Sequence, residues 1–408
     1  MSKSRTWIYS ELLPNIRQIS VIATLNTPSD GTTKTLFSAD GSKFSIFHDG
    51  VRSEATLPGD VSIDAQLQKP AIGVKELSWR LPLRSAPSAR EKEQLQSIET
   101  PWSAKDLDEN SEFACRNCQT VIIGKGTIES WKDLPSANWA EMMEFWHCHK
   151  PDVPDHEHGG HDVDGSSGQD TSHNEDPNAK RGYGANTKFI ARPGVAFVDA
   201  TTFLISSTDC PGVEVRNGFH SQSLFLIFCR GCQQYIGQVD GQAEGFRLYK
   251  WRLSSTNSMN PISVPTSLSP PPLSYFVAAQ FMQVLHSQCT SRVLLSPIEW
   301  KRSRSSAELF VSIWIFSPGL RHSSSKLAIE GRPLPTGRLA MKIFWNPITE
   351  EDAVRLQDRQ DTEELSLPLE TLRELETSLR DSAAILPLSA RKFQGWNVGL
   401  LERYEDRR

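Results

Sequence analysis

Four of the chain's seven cysteines sit in two segments with one spelling, Cys115-Arg116-Asn117-Cys118-Gln119 and Cys229-Arg230-Gly231-Cys232-Gln233. A tetrahedral zinc ion with Zn–S bonds of about 2.3 Å needs its thiolates roughly 3.7 Å apart. One C-x-x-C turn supplies one such edge, and two turns complete the site. Four thiolates fill every position and leave none for water or substrate, so the ion they imply is structural. Cys115, Cys118, Cys229 and Cys232 are therefore the expected ligands and zinc the expected cofactor. Two unrelated turns with buried cysteines are the plainer alternative, and the duplicated Arg and Gln argue against it.

Trp146-His147-Cys148-His149-Lys150 is the second constellation. Neighbouring side chains diverge, so its three metal-binding types cannot easily all reach one ion. Cys148 or His149 could join a local zinc, Cys148 could be a reactive thiol with cationic neighbours, or the segment could offer a ligand to a partner's metal. A packed helix end with a small buried cysteine is the plainer reading. His156, His158, His161 and His173 form a His-rich tract that could bind metal, although drift in a solvated loop explains it as well. Cys210 and Cys289 lack companions and read as buried. The chain has no phosphate-cradling Gly-rich loop, no G-x-S-x-G and no H-E-x-x-H, which removes support for nucleotide-dependent and common hydrolytic classes.

The elements that must position these groups are β-rich. Residues 1–83 read as short antiparallel strands. Ile16 to Leu25 is rich in β-branched residues, Lys43 to His48 alternates and meets an Asp49-Gly50 turn, and Glu76 to Leu81 stops at Pro82. Residues 84–112 read as a linker. A zinc-stapled central region spans 113–253, with strands at Thr120–Ile123, Val195–Val198 and Leu224–Phe228. Between the knuckles, Trp139, Met142, Met143 and Trp146 form the stripe of a short helix, with Ser136 as N-cap. Residues 151–188 lose their large apolar side chains and read as a disordered insertion. Residues 254–272 form a Pro/Ser-rich linker. The C-terminal α+β part, 273–408, reads as a helix over Tyr275–Leu285, strands over Glu308–Phe316 and Leu339–Trp345, and an amphipathic helix over Leu369–Leu386 between Pro368 and Pro387. The fold class expected is α+β, β-rich.

At 408 residues the chain can build two or three cores. A formal net charge of −5 gives no electrostatic reason to expect direct nucleic-acid or anionic-membrane binding. The N-terminus leads into no long apolar stretch, so no signal peptide is expected. No run approaches the roughly 20 apolar residues of a membrane span. An intracellular, reducing compartment, cytoplasm and nucleus, is the expectation, and there paired cysteines bind metal more readily than they form disulfides.

The order C-R-x-C-Q, L-P-S-A-N-W, W-H-C-H-K, C-R-G-C-Q resembles the HECT-like ubiquitin-conjugating-enzyme-binding proteins, a family of E3 ubiquitin-protein ligases. The likeness is specific over 115–150 and 229–237 and architectural elsewhere. It implies binding of a ubiquitin-conjugating enzyme and ligase activity. It also implies a link to the metallo-endonuclease of mRNA 3′-end processing. There Cys148, positioned by Leu134, Pro135, Trp139 and Trp146 with His149 beside it, would enter the nuclease's metal site, making the chain a non-enzymatic chaperone or inhibitor. Conventional HECT ligases carry their thioester cysteine near the C-terminus, but residues 290–408 contain no cysteine. Cys148 is then the candidate nucleophile with suitable local chemistry.

Overall fold

The computed structural model describes residues 6–62, 67–134, 189–217, 225–255, 270–303, 309–327 and 337–406. It is strand-rich, with an antiparallel N-terminal part, a four-cysteine centre and a mixed C-terminal part, as the sequence implies. Strands from both ends of the chain share a nine-stranded sheet. Its main path runs Lys392–Phe393, Trp396–Glu402, Arg338–Ile348, Phe310–Ser324, Trp7–Leu13, Gln18–Thr24, Glu76–Pro82. The long strand Phe310–Ser324 makes the junction. Its first half pairs with Arg292–Pro297, and its last residues pair with Trp7–Leu13 through Tyr9↔Ser324 and Glu11↔His322.

Period-two patterning explains the N-terminal half. In Glu76–Pro82, Leu77, Trp79 and Leu81 are buried and alternate with less buried residues. They pack with Ile19 and Val21 against Phe44, Ile46 and Ala55 of a separate three-stranded sheet. The turn in that second sheet places Asp49 (φ 50°) and Gly50 (φ 69°) in the left-handed region, the geometry of a two-residue hairpin matched to strand twist.

Within the Ser-, Pro- and charge-rich stretch 84–112, Ser88 and Glu91 form a capping box that starts the helix Ala89–Gln96. Leu95 is buried, and the Arg403 guanidinium holds the backbone beyond it by donating to the carbonyls of Leu95 (2.7 Å) and Ser97 (2.5 Å).

In the C-terminal part, the helices Leu273–Ser287 and Leu369–Ser382 cover one sheet face. Phe276, Phe281, Leu372, Leu375 and Leu379 meet Val293, Ile313, Met341 and Ile343 there. The second helix starts after Pro368, and a 3-10 turn, Ala383–Ile385, follows it before Pro387.

The central unit has a seven-stranded sheet ordered Val213–Asn217, Phe225–Cys229, Tyr235–Asp240, Gly245–Tyr249, Thr202–Ile205, Val195–Val198, Ser130–Asp133. A three-stranded sheet of Leu253–Ser255, Phe113–Cys115 and Val121–Ile123 packs against it. Phe113 and Phe203 meet at 4.9 Å between centroids, and Trp131 stands edge-on to Phe203 at 5.3 Å.

Candidate metal centre

The two C-R-x-C-Q copies build the same turn. Cys115 N–H donates to Thr120 O (2.8 Å) and Gln119 N–H to Cys115 O (2.9 Å). In the second copy Cys229 N–H donates to Gln234 O and Gln233 N–H to Cys229 O, both at 2.9 Å. Each turn closes on a left-handed glutamine, Gln119 (φ 62°) and Gln233 (φ 61°). The glutamine side chain then returns to the turn: Gln119 Nε2 donates to Arg116 O (3.3 Å) and Gln233 Nε2 to Arg230 O (3.0 Å). The arginines fasten the turns outward. Arg116 Nη1 donates to Trp251 O (3.2 Å) and Pro271 O (2.9 Å), and Arg230 Nε donates to Val213 O (2.8 Å). The duplicated Arg and Gln thus have structural work in both copies.

The four sulfurs lie within 4.8 Å of one another. The pairs across the two turns are Cys115–Cys232 at 3.6 Å and Cys118–Cys229 at 3.5 Å, close to the roughly 3.7 Å edge of a zinc–thiolate tetrahedron. Two glycines permit this approach. A Cβ on Gly231 would stand 2.2 Å from Thr120 Oγ1 and 3.1 Å from Cys118 Sγ, and one on Gly212 would stand 2.1 Å from Val121 O. The first copy carries Asn117 where the second needs glycine.

Burial pushes the Cys115 thiol up to about 12 and raises Cys229 as well. Cys118, at the exposed edge, is lowered to about 6 by the Thr120 hydroxyl and N–H. Two buried thiols therefore resist ionising alone, and a bound divalent ion would supply the missing positive charge. Four thiolates at this spacing could hold a metal ion and are compatible with a closed, structural zinc site.

The centre joins the three- and seven-stranded sheets, because Cys115 and Cys229 end a strand of each. Arg252 extends the tie, pairing with Glu370 (3.3 Å) and Glu374 (3.6 Å) on the helix Leu369–Ser382, where Gln234 also donates to Glu370 (3.0 Å).

Leu134 is half-buried, and its N–H donates to Val198 O (2.7 Å). With Asp133, Asp199 and Tyr404 it lines a cavity of about 300 Å³. Pro135, Trp139, Trp146, Cys148 and His149 lie outside the described residues, as do the helix expected over Trp139–Trp146, the four histidines of the tract and the insertion 151–188. Cys210 is buried as expected, and burial pushes its thiol up to about 12. Cys289 corrects its expectation: it is exposed, because it lies just past the end of the helix Leu273–Ser287 in a left-handed turn (φ 51°). No helix among the described residues is long and apolar enough to cross a membrane.

Sequence reasoning did not reach Arg252 or Lys250. Lys250 is fully buried, with Nζ donating to the carbonyls of Trp102 (3.0 Å) and Pro101 (3.3 Å), and burial pulls its pKa down to about 7. No local spacing marks either residue, because their partners are distant in the chain.

A family model described as HECT-like ubiquitin-conjugating enzyme (E2)-binding matches residues 11–398. An uncharacterized protein of Saccharomyces cerevisiae is 25% identical over 399 residues, covering 95% of this chain and 96% of its own length. An uncharacterized protein of Schizosaccharomyces pombe is 23% identical over 318 residues, covering 75% of this chain and 78% of its own. No solved structure matches the chain.

Proposed function

The chain belongs to the HECT-like ubiquitin-conjugating enzyme (E2)-binding family, and on that premise we propose that it binds a ubiquitin-conjugating enzyme and acts as an E3 ubiquitin-protein ligase in the cytoplasm and nucleus. The observation that carries this reading is the extent of the match, 11–398, which takes in both the shared sheet and the four-cysteine centre. The metal of that centre is zinc, held by Cys115, Cys118, Cys229 and Cys232. It serves as a staple, with no open position for chemistry.

A thioester route moves the ubiquitin acyl group from the conjugating enzyme's cysteine to a thiolate of this chain, and the first cysteine leaves as thiolate. Four cysteines belong to the metal centre, and the Cys210 thiol is raised and buried. The acceptors that remain are Cys289 and Cys148, of which Cys148 has His147, His149 and Lys150 beside it.

One observation favours a second reading, a non-enzymatic chaperone or inhibitor that inserts Cys148 at the metal site of the mRNA 3′-end-processing endonuclease. Both described flanks of 135–188 belong to one edge of the seven-stranded sheet, where Ser130–Asp133 pairs in parallel with Val195–Val198. The described strands nearest to Cys148 in sequence on either side are thus neighbours in one sheet, which supports that reading. Cys148→Ala tests both readings. Loss of a reducible ubiquitin thioester supports the ligase route, and retention of the thioester removes Cys148 as its nucleophile. Unchanged co-purification of the variant with the nuclease would sink the insertion reading.

A further inference from the structure

Among the described residues, the face of the nine-stranded sheet opposite the helices Leu273–Ser287 and Leu369–Ser382 is covered at its ends and carries a partly exposed aromatic strip between them. At one end Ala353 of the helix Glu350–Gln357 packs on Leu294 and Phe310. At the other, Leu386 closes over Leu320, Ala340 and Leu400. Between them Phe344 is flanked by stacked rings, Phe316 at 4.7 Å and Phe393 at 5.0 Å, while Trp314 stands edge-on to it at 5.1 Å. Phe316 is 53% exposed and Phe393 41%. Exposed aromatic clusters of this kind mark interaction surfaces.

The strip carries one cation in an unusual position. The Arg292 guanidinium lies 4.2 Å from the Trp314 ring centroid and 5.5 Å from that of Trp396. It makes no hydrogen bond or ion pair among the described residues. Asp361, the acidic group whose charge reaches it, is held by Arg359 through two bonds of 2.7 and 2.8 Å. A planar cation stacked on indole, with its N–H donors unused, matches a carboxylate in a two-bond fork. Charge complementarity therefore asks the occupant for a carboxylate next to bulky apolar side chains.

We propose that this strip, Arg292 with Trp314, Phe316, Phe393 and Trp396, is the face on which the ubiquitin-conjugating enzyme docks, by a segment that brings a carboxylate to Arg292 and an apolar side chain to the phenylalanines. The inference rests on the conjugating-enzyme-binding reading given above.

The test measures binding of the full chain to purified ubiquitin-conjugating enzymes, taken one at a time, free and as stable ubiquitin conjugates. Wild type is compared with Arg292→Glu, Phe316→Ser and Phe393→Ser. The melting temperature and circular dichroism of each variant are compared with wild type as the control for folding. At least tenfold weaker binding by each variant is expected, with amide-exchange protection over 312–317 and 392–397 on adding the enzyme. Equal binding by wild type and variants, with protection elsewhere, overturns the docking face and leaves the conjugating-enzyme reading standing. A wild-type dimer that the same variants dissociate also overturns it, in favour of a second copy as occupant. If no conjugating enzyme binds wild type, the reading it rests on fails and the docking face fails with it.

Discussion

Cys229→Ser gives the sharpest test of the staple. The substitution removes one of the four proposed ligands, and with it the proposed cross-link to Cys118, 111 residues away in sequence. Treated as a closed loop of that length, the link restricts the unfolded chain by about 5 kcal/mol at 25 °C. Whole domains are stable by about 5–15 kcal/mol, so the central unit should lose most or all of its margin. The melting temperature of that unit should fall by about 10–20 °C. Differential scanning calorimetry, with metal content measured by mass spectrometry, reads both effects. Wild type should carry about one zinc per chain, and excess chelator should reproduce the variant's loss. Because the buried thiols of Cys115 and Cys229 must ionise to bind, zinc affinity should weaken as pH falls. Wild type that is purified without zinc, or whose melting temperature is unchanged by excess chelator, would refute the staple.

Gly231→Ala should lower zinc affinity with all four ligands in place, since its Cβ would press on Thr120 Oγ1 at 2.2 Å and on Cys118 Sγ; competition with a chromophoric chelator measures it, and unchanged affinity would show that the turns separate freely. His322 is buried with neither ring nitrogen hydrogen-bonded among the described residues, and burial lowers its pKa from 6.5 to about 4. The unfolded ring therefore takes up its proton first as pH falls, so stability present above 6.5 declines towards about 4. Between pH 7 and 5 the loss is about 2 kcal/mol, and His322→Phe should remove that share of the slope in urea titrations; identical slopes would count against it. Arg403→Met leaves the Leu95, Ser97 and Pro318 carbonyls without their donor, so a loss of about 3 kcal/mol or more is expected by denaturant unfolding, given the cost of unsatisfied buried groups. A variant as stable as wild type would show that water replaces the guanidinium there.

The knuckles were legible because their chemistry is local: a C-x-x-C turn places two sulfurs by itself, and repetition of the spelling announces the partner. The hairpin at Asp49-Gly50, the strand Glu76–Pro82 and the helix after Pro368 were legible for the same reason, since each follows from periodicity and turn residues a few positions apart. The helix Ala89–Gln96 was missed although Ser88 and Glu91 spell its capping box, because the surrounding composition reads as linker and only Leu95 is buried. The exposure of Cys289 turned on a single left-handed residue.

The sequence by itself determined the four-cysteine set, its two turns and the β-rich class. Tertiary structure alone decided that the chain's ends share a sheet through Glu11↔His322, that Arg252 ties the centre to Glu370 and Glu374, and that the Arg292 guanidinium stacks on Trp314 with no hydrogen-bond partner among the described residues. Those arrangements join residues up to 311 positions apart. Pairing at such separation is selected by the burial of whole faces against one another, and no window along the chain contains that information.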